Sequence, residues 1–157
     1  MQNMAREETS PHRMRMTQLA TGLCVIGAAL SLRAEAVPAE LRSYVERFTG
    51  PQPTDCGEHP LVRPFVAAGA EELQRSLACG LEAATSRKPF WTSKQDQGID
   101  SLIFQGIIGT TEGLTYRFSY DSAPCGSPGC PGKFTIERCQ KPTVFTGRGG
   151  RADFACR

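Results

Sequence analysis

Three short stretches carry the side chains that could do chemistry. "PCGSPGCPGKFTIERC", residues 124–139, sets Cys125, Cys130 and Cys139 among prolines and glycines. "DCGEH", residues 55–59, brings Asp55, Cys56, Glu58 and His59 together, and "DQGID" places Asp96 and Asp100 around a glycine. The chemistries on offer are phosphate binding, dithiol redox, zinc coordination and histidine-based hydrolysis, and each makes its own demand on spacing.

A phosphate loop needs G-x-x-x-x-G-K-[ST] opening a helix, so that backbone N–H groups and the helix dipole hold the anion. Here Ser127 stands five positions before Gly132, Phe134 follows Lys133, and a strand pattern comes next. A thioredoxin-type centre needs C-x-x-C at a helix N-terminus, whereas four residues, Pro128 and Gly129 among them, separate Cys125 from Cys130. Zinc is the better rival, since Cys56 and His59 stand at C-x-x-H spacing and Cys125, Cys130 or Cys139 could complete a tetrahedral set. Hydrolysis would have to use His59, the only histidine after position 36, with Asp55 and Glu58 beside it. No G-x-S-x-G or H-E-x-x-H accompanies it, and a loop histidine beside a proline is usually solvated. Adjacent acids such as Glu71 and Glu72 do not converge on one substrate, and Asp96 and Asp100 suit turn hydrogen bonds.

Compartment decides among these. Residues 19–32, LATGLCVIGAALSL, are apolar and uncharged, with Arg13 and Arg15 before them and Ala34-Glu35-Ala36 after. That is the pattern of a signal peptide cleaved after Ala36, since a membrane-spanning helix needs about 20 apolar residues. Cys24 leaves with it. All four methionines lie within positions 1–16, so Met14 and Met16 compete with Met1 as the start. The expected organisation is an N-terminal extension and signal peptide over 1–36, then one secreted domain over 37–157. In an oxidising compartment the remaining cysteines, 56, 79, 125, 130, 139 and 156, are even in number and read as disulfides rather than zinc ligands.

Counting from Val37 gives 14 Lys+Arg against 13 Asp+Glu, which argues against a nucleic-acid or anionic-membrane binder. The basic "GRGGR", 147–151, reads as a glycine turn with solvated arginines.

These residues must be positioned by helices and strands. "VPAELRSYVERFTGP" is a short helix: Pro38 opens it, Leu41, Tyr44, Val45 and Phe48 form its stripe, and Gly50-Pro51 stop it. "PQPTDCGEHPLVRP" reads as a loop. A longer amphipathic helix is expected from Pro64 to Thr85, with Val66, Ala70, Leu73, Leu77, Leu81 and Ala84 within about 40° of one line. Cys79 lies about 160° from Leu77 on that wheel, so its partner should cover the helix's back, where the chain around Cys56 can reach. From Pro89 strands take over. "PFWTSKQDQ" is a weak candidate, "LIFQGIIG" (102–109) is apolar on both faces, and "LTYRFSYD" (114–121) alternates cleanly. "KFTIERC" (133–139) and a last strand around 153–156 complete the set. Cys139–Cys156 would tie the last strands and Cys125–Cys130 would close the Gly-Pro loop. A crossed pattern, such as Cys125–Cys139 with Cys130–Cys156, also remains open to the sequence.

The expected fold is α+β: a long amphipathic helix on a four- to five-stranded antiparallel meander, stapled by disulfides. If Tyr116 and Phe118 face the long helix, then either Ile103 and Ile107 or Phe104 and Ile108 face the other way, where the short helix is expected to cover them and a partner or dimer surface is the alternative. The order of one helix followed by strands resembles the cystatin topology. That resemblance is one of element order, and with no cystatin inhibitory motif in the chain it implies no activity.

Function is read as a secreted or periplasmic, bacterial binding or inhibitor-like module. Its surface would be the exposed sheet face with Trp91 or Arg117, or the Gly/Pro loops. The partner would be another protein or an envelope component, with no cofactor and no metal. The rivals are a small hydrolase centred on His59, Asp55 and Glu58, and a purely structural envelope protein.

Overall fold

The computed structural model describes residues 37–61, 68–127 and 129–157. The expected signal peptide with Cys24, and the expected start of the long helix at Pro64 and Val66, lie outside the described residues.

Helix α1 (Ala39–Thr49) ends where Gly50 takes a φ of 78° and donates its N–H to the Glu46 carbonyl. Strand β1 (Thr54–His59) follows, then helix α2 (Ala70–Thr85). Strands β2 (Phe90–Gln97), β3 (Leu102–Gly109), β4 (Thr115–Asp121) and β5 (Lys133–Arg138) then run antiparallel, each paired with the next. Strands β6 (Pro142–Thr146) and β7 (Ala152–Cys156) form a separate hairpin. The molecule is therefore α+β, with a mostly antiparallel five-stranded sheet, two helices and three disulfides.

Four expectations need correction. The stretch 51–64 contains a strand, because β1 is held by parallel pairing to β2 and not by any alternation of its own. Its register shifts between Asp55 and Glu58, where Gly57 adopts a φ of 121°. Helix α2 begins at Ala70, where the Glu72 side chain accepts the Gly69 N–H at 3.0 Å, so that exposed N–H is capped. Its buried stripe is Leu73, Ser76, Leu77, Gly80 and Ala83, leaving Leu81 exposed. Gly80 sits closest to the sheet because the Phe90 ring fills the space where a side chain would be. A strand between the helices and a second sheet at the C-terminus also depart from the helix-then-meander order.

The fourth correction concerns the faces of the sheet. Phe104, Ile108, Phe118 and Tyr120 lie under α1, packed with Leu41 and Val45, and Tyr116 joins the edge of that cluster. Ile107 and Phe90 lie on the other face with Leu73, Leu77 and Phe154, so α2 and the β6–β7 hairpin share that side. The alternation of β4 thus puts Tyr116 and Phe118 under the short helix and Arg117 and Ser119 on the side of the long one. Tyr120 anchors α1 further by donating its hydroxyl to Glu40 Oε2 at 2.7 Å. Burial, and then that carboxylate, push the Tyr120 hydroxyl well above its usual pKa.

Two of the disulfides join elements that the ladders leave unconnected. Cys56–Cys79 ties β1 to α2, and Cys139–Cys156 ties the end of β5 to the end of β7. Cys125–Cys130 spans only five positions within the exposed β4–β5 loop. Loop-closure entropy grows with loop length, so this last bridge contributes about 2 kcal/mol and each longer one about 1 kcal/mol more. The variant Cys125→Ser/Cys130→Ser should therefore lower the non-reduced melting temperature less than Cys56→Ser/Cys79→Ser. Calorimetry of the two would contradict this if the order were reversed.

Candidate functional site

The histidine cluster is brought only partly together. Because 58 and 59 point to opposite sides of β1, Glu58 meets Arg42 of α1 at 2.6 Å, whereas His59 turns toward α2. His59 Nε2 lies 2.6 Å from Ser76 Oγ, a contact between the end of β1 and the buried stripe of α2. Asp55 is occupied locally, accepting the Gly57 N–H at 2.9 Å. Asp55, Glu58 and His59 therefore do not converge on one point. Cys56, bonded to Cys79, is likewise unavailable as a zinc ligand beside His59. Burial lowers the His59 pKa and raises that of Glu58 against the pull of Arg42.

The His59 shift has a sign that can be tested. The folded state favours neutral imidazole, so below the ordinary value of 6.5 the unfolded chain takes up the proton first and stability falls. His59→Gln, which keeps a polar partner for Ser76, should flatten the decline of melting temperature as pH drops below 6.5. A decline identical to that of the parent would contradict the assignment.

Trp91 is not on an open face. It is 3% exposed beneath α1, with the Arg42 guanidinium 5.6 Å from its ring centre. Arg117 is on an open face, the one shared by α2 and the hairpin. There the outward residues of β3, β4 and β5 line a hollow of about 240 Å³, including Gln105, Arg117, Ser119, Thr135 and Glu137. Arg117 Nη1 donates to Glu137 Oε1 at 3.2 Å, and its Nε is buried with no hydrogen-bond partner among the described residues. Thr135 Oγ1 donates across the ladder to the Ser119 carbonyl at 3.3 Å.

A second hollow, of about 330 Å³, shares Gln105 and runs under the hairpin. Its floor is an ionic network absent from the sequence reading. Lys94 is 2% exposed and donates to Asp96 Oδ2 at 2.7 Å and to the Ala152 carbonyl at 3.1 Å, with Asp153 Oδ1 at 3.4 Å. Arg151 closes the far side of Asp96 at 2.7 Å. Gln105, its amide nitrogen turned to Asp153, donates to both carboxylate oxygens at 2.8 and 3.0 Å. Phe145 stands at the rim, 46% exposed. The available signal was in β2: Phe90, Thr92, Lys94 and Asp96 alternate onto one face, so a polar pair continues an apolar row.

Among the described residues no three His, Cys, Asp or Glu side chains are placed to hold a metal ion. Nor is any described helix long and apolar enough to cross a membrane. No protein-family model matches the chain, and no curated protein or solved structure matches it either.

Proposed function

We propose that the chain is an exported, disulfide-stapled binding module that takes its partner on the open polar face around Arg117. The observation that carries this reading is the first hollow. It presents hydrogen-bonding side chains from three neighbouring strands, on a sheet whose opposite face is packed under α1. Side chains mounted on strands and fixed by one another hold their positions better than loop residues do.

A photo-crosslinking residue placed at Thr135 or Ser119 should give a covalent adduct in the cells that make the protein. The same residue at Glu82, on the exposed back of α2, should give none. Adducts from Glu82 with none from Thr135 or Ser119 would overturn the reading.

A small hydrolase has one observation in its favour, the 2.6 Å contact between His59 and Ser76, which is the geometry of a nucleophile and its base. Ser76 is 5% exposed, however, so a substrate would have to displace what covers it. A fluorophosphonate reagent that labels the parent but not Ser76→Ala would establish this second reading.

A further inference from the structure

We infer that the ligand of this face is a neutral, polyhydroxylated one, a saccharide unit of a larger polymer, and not a protein surface. The inference rests on the binding-face reading above and deepens it. Protein interfaces are built on a desolvated core depleted of charge and rich in aromatic side chains. This face presents mainly polar side chains, a guanidinium, a carboxylate, an amide and two hydroxyls, while Phe118 and Ile136, which also line the hollow, turn their side chains to the α1 side.

Its charge also speaks against an ionic ligand. Arg117 is matched by Glu137, and Lys94 and Arg151 are matched by Asp96 and Asp153. An anion placed on Arg117 would meet Glu137, and a cation placed on Glu137 would meet Arg117. A sugar brings vicinal hydroxyls, each both donor and acceptor, which suit planar groups that present a donor beside an acceptor. Arg117 with Glu137 and Gln105 with Asp153 are two such pairs, each already oriented by its own hydrogen bonds. Phe145, exposed at the rim of the adjoining hollow, supplies the apolar surface on which the C–H face of a pyranose ring can lie.

The test is titration of the purified, disulfide-bonded protein with cello-, chito-, malto- and xylo-oligosaccharides, followed by amide chemical shifts up to about 10 mM ligand, where millimolar binding is visible. At least one sugar should move the signals of Gln105, Arg117, Ser119 and Thr135. Phe145→Ala should weaken that sugar roughly three- to tenfold, the worth of one aromatic contact, and Thr135→Val should weaken it further without disturbing the remaining spectrum. Acetate or an acidic peptide shifting these signals while every sugar leaves them still would overturn the inference and leave the binding-face reading standing. Silence with all sugars, or shifts confined to another surface, would also overturn it. Absence of crosslinks from Thr135 and Ser119 is the separate result that would remove the underlying reading.

Discussion

Replacing Lys94 with alanine should destabilise the protein by about 3–5 kcal/mol, the usual cost of breaking a buried ion pair from one side. The ammonium is 2% exposed and satisfies Asp96, the Ala152 carbonyl and, at longer range, Asp153. Its loss leaves Asp153 and one oxygen of Asp96 without their cation at the floor of the second hollow. Arg151 remains on the other oxygen of Asp96 and moderates the effect. Against a total stability of about 5–15 kcal/mol for a domain of this kind, the change is large. Denaturant unfolding of the oxidised protein measures it directly. The mechanism is separable from simple loss of packing: Lys94→Met with Asp96→Leu and Asp153→Leu should recover much of the loss, because apolar replacement of buried ions is often neutral and Arg151, 61% exposed, can return to water. A triple variant no better than Lys94→Ala would mean that the network is not what holds the hairpin. Hydrogen exchange gives the local readout, since the amides of β7 should lose protection before those of β3.

That network shows where sequence reading reaches and where it stops. The helix before Gly50, the alternation of β4 and the double-sided apolarity of β3 are written in local periodicity. Each can be placed because one element's own side chains decide it. β1 is not of that kind. Its residues acquire strand geometry from pairing with β2, a contact across the whole of α2, and the flanking prolines and Gly57 argue for a loop when read alone. Which helix covers which face is equally non-local. Both helices have apolar stripes and both faces of the sheet have apolar rows, so the assignment rests on fit, such as Gly80 against Phe90. For the candidate site, Arg117 could be singled out because it interrupts an aromatic strand. Gln105, Asp153 and Lys94 could not, because their significance arises only when β2, β3 and β7 meet. Trp91 was legible as a large side chain and misplaced as an exposed one, since its strand is buried along nearly its whole length.

The seating of α2 yields the second large effect. Gly80→Ala should cost about 2 kcal/mol net, because overpacking of about 3 kcal/mol outweighs the preference of about 1 kcal/mol for alanine over glycine within a helix. A Cβ at position 80 would stand 2.3 Å from Phe90 Cε2, far inside van der Waals contact. The ring cannot withdraw, because a Cβ built at Gly109 would meet the opposite ring edge, Cε1, at 2.1 Å; the ring is wedged between two glycine backbones. Phe90 is fully buried and belongs to the same cluster as Leu73, Leu77 and Ile107, so moving it would disturb the whole contact between helix and sheet. The clash therefore outweighs the gain in helix propensity. The companion variant Phe90→Leu trades the ring for a smaller side chain and should relieve the conflict, so that Gly80→Ala in that background becomes neutral or mildly stabilising. The pair should accordingly show a coupling well above the 0.5 kcal/mol expected of independent sites. If Gly80→Ala stabilised the parent, α2 would not rest on Phe90 as described.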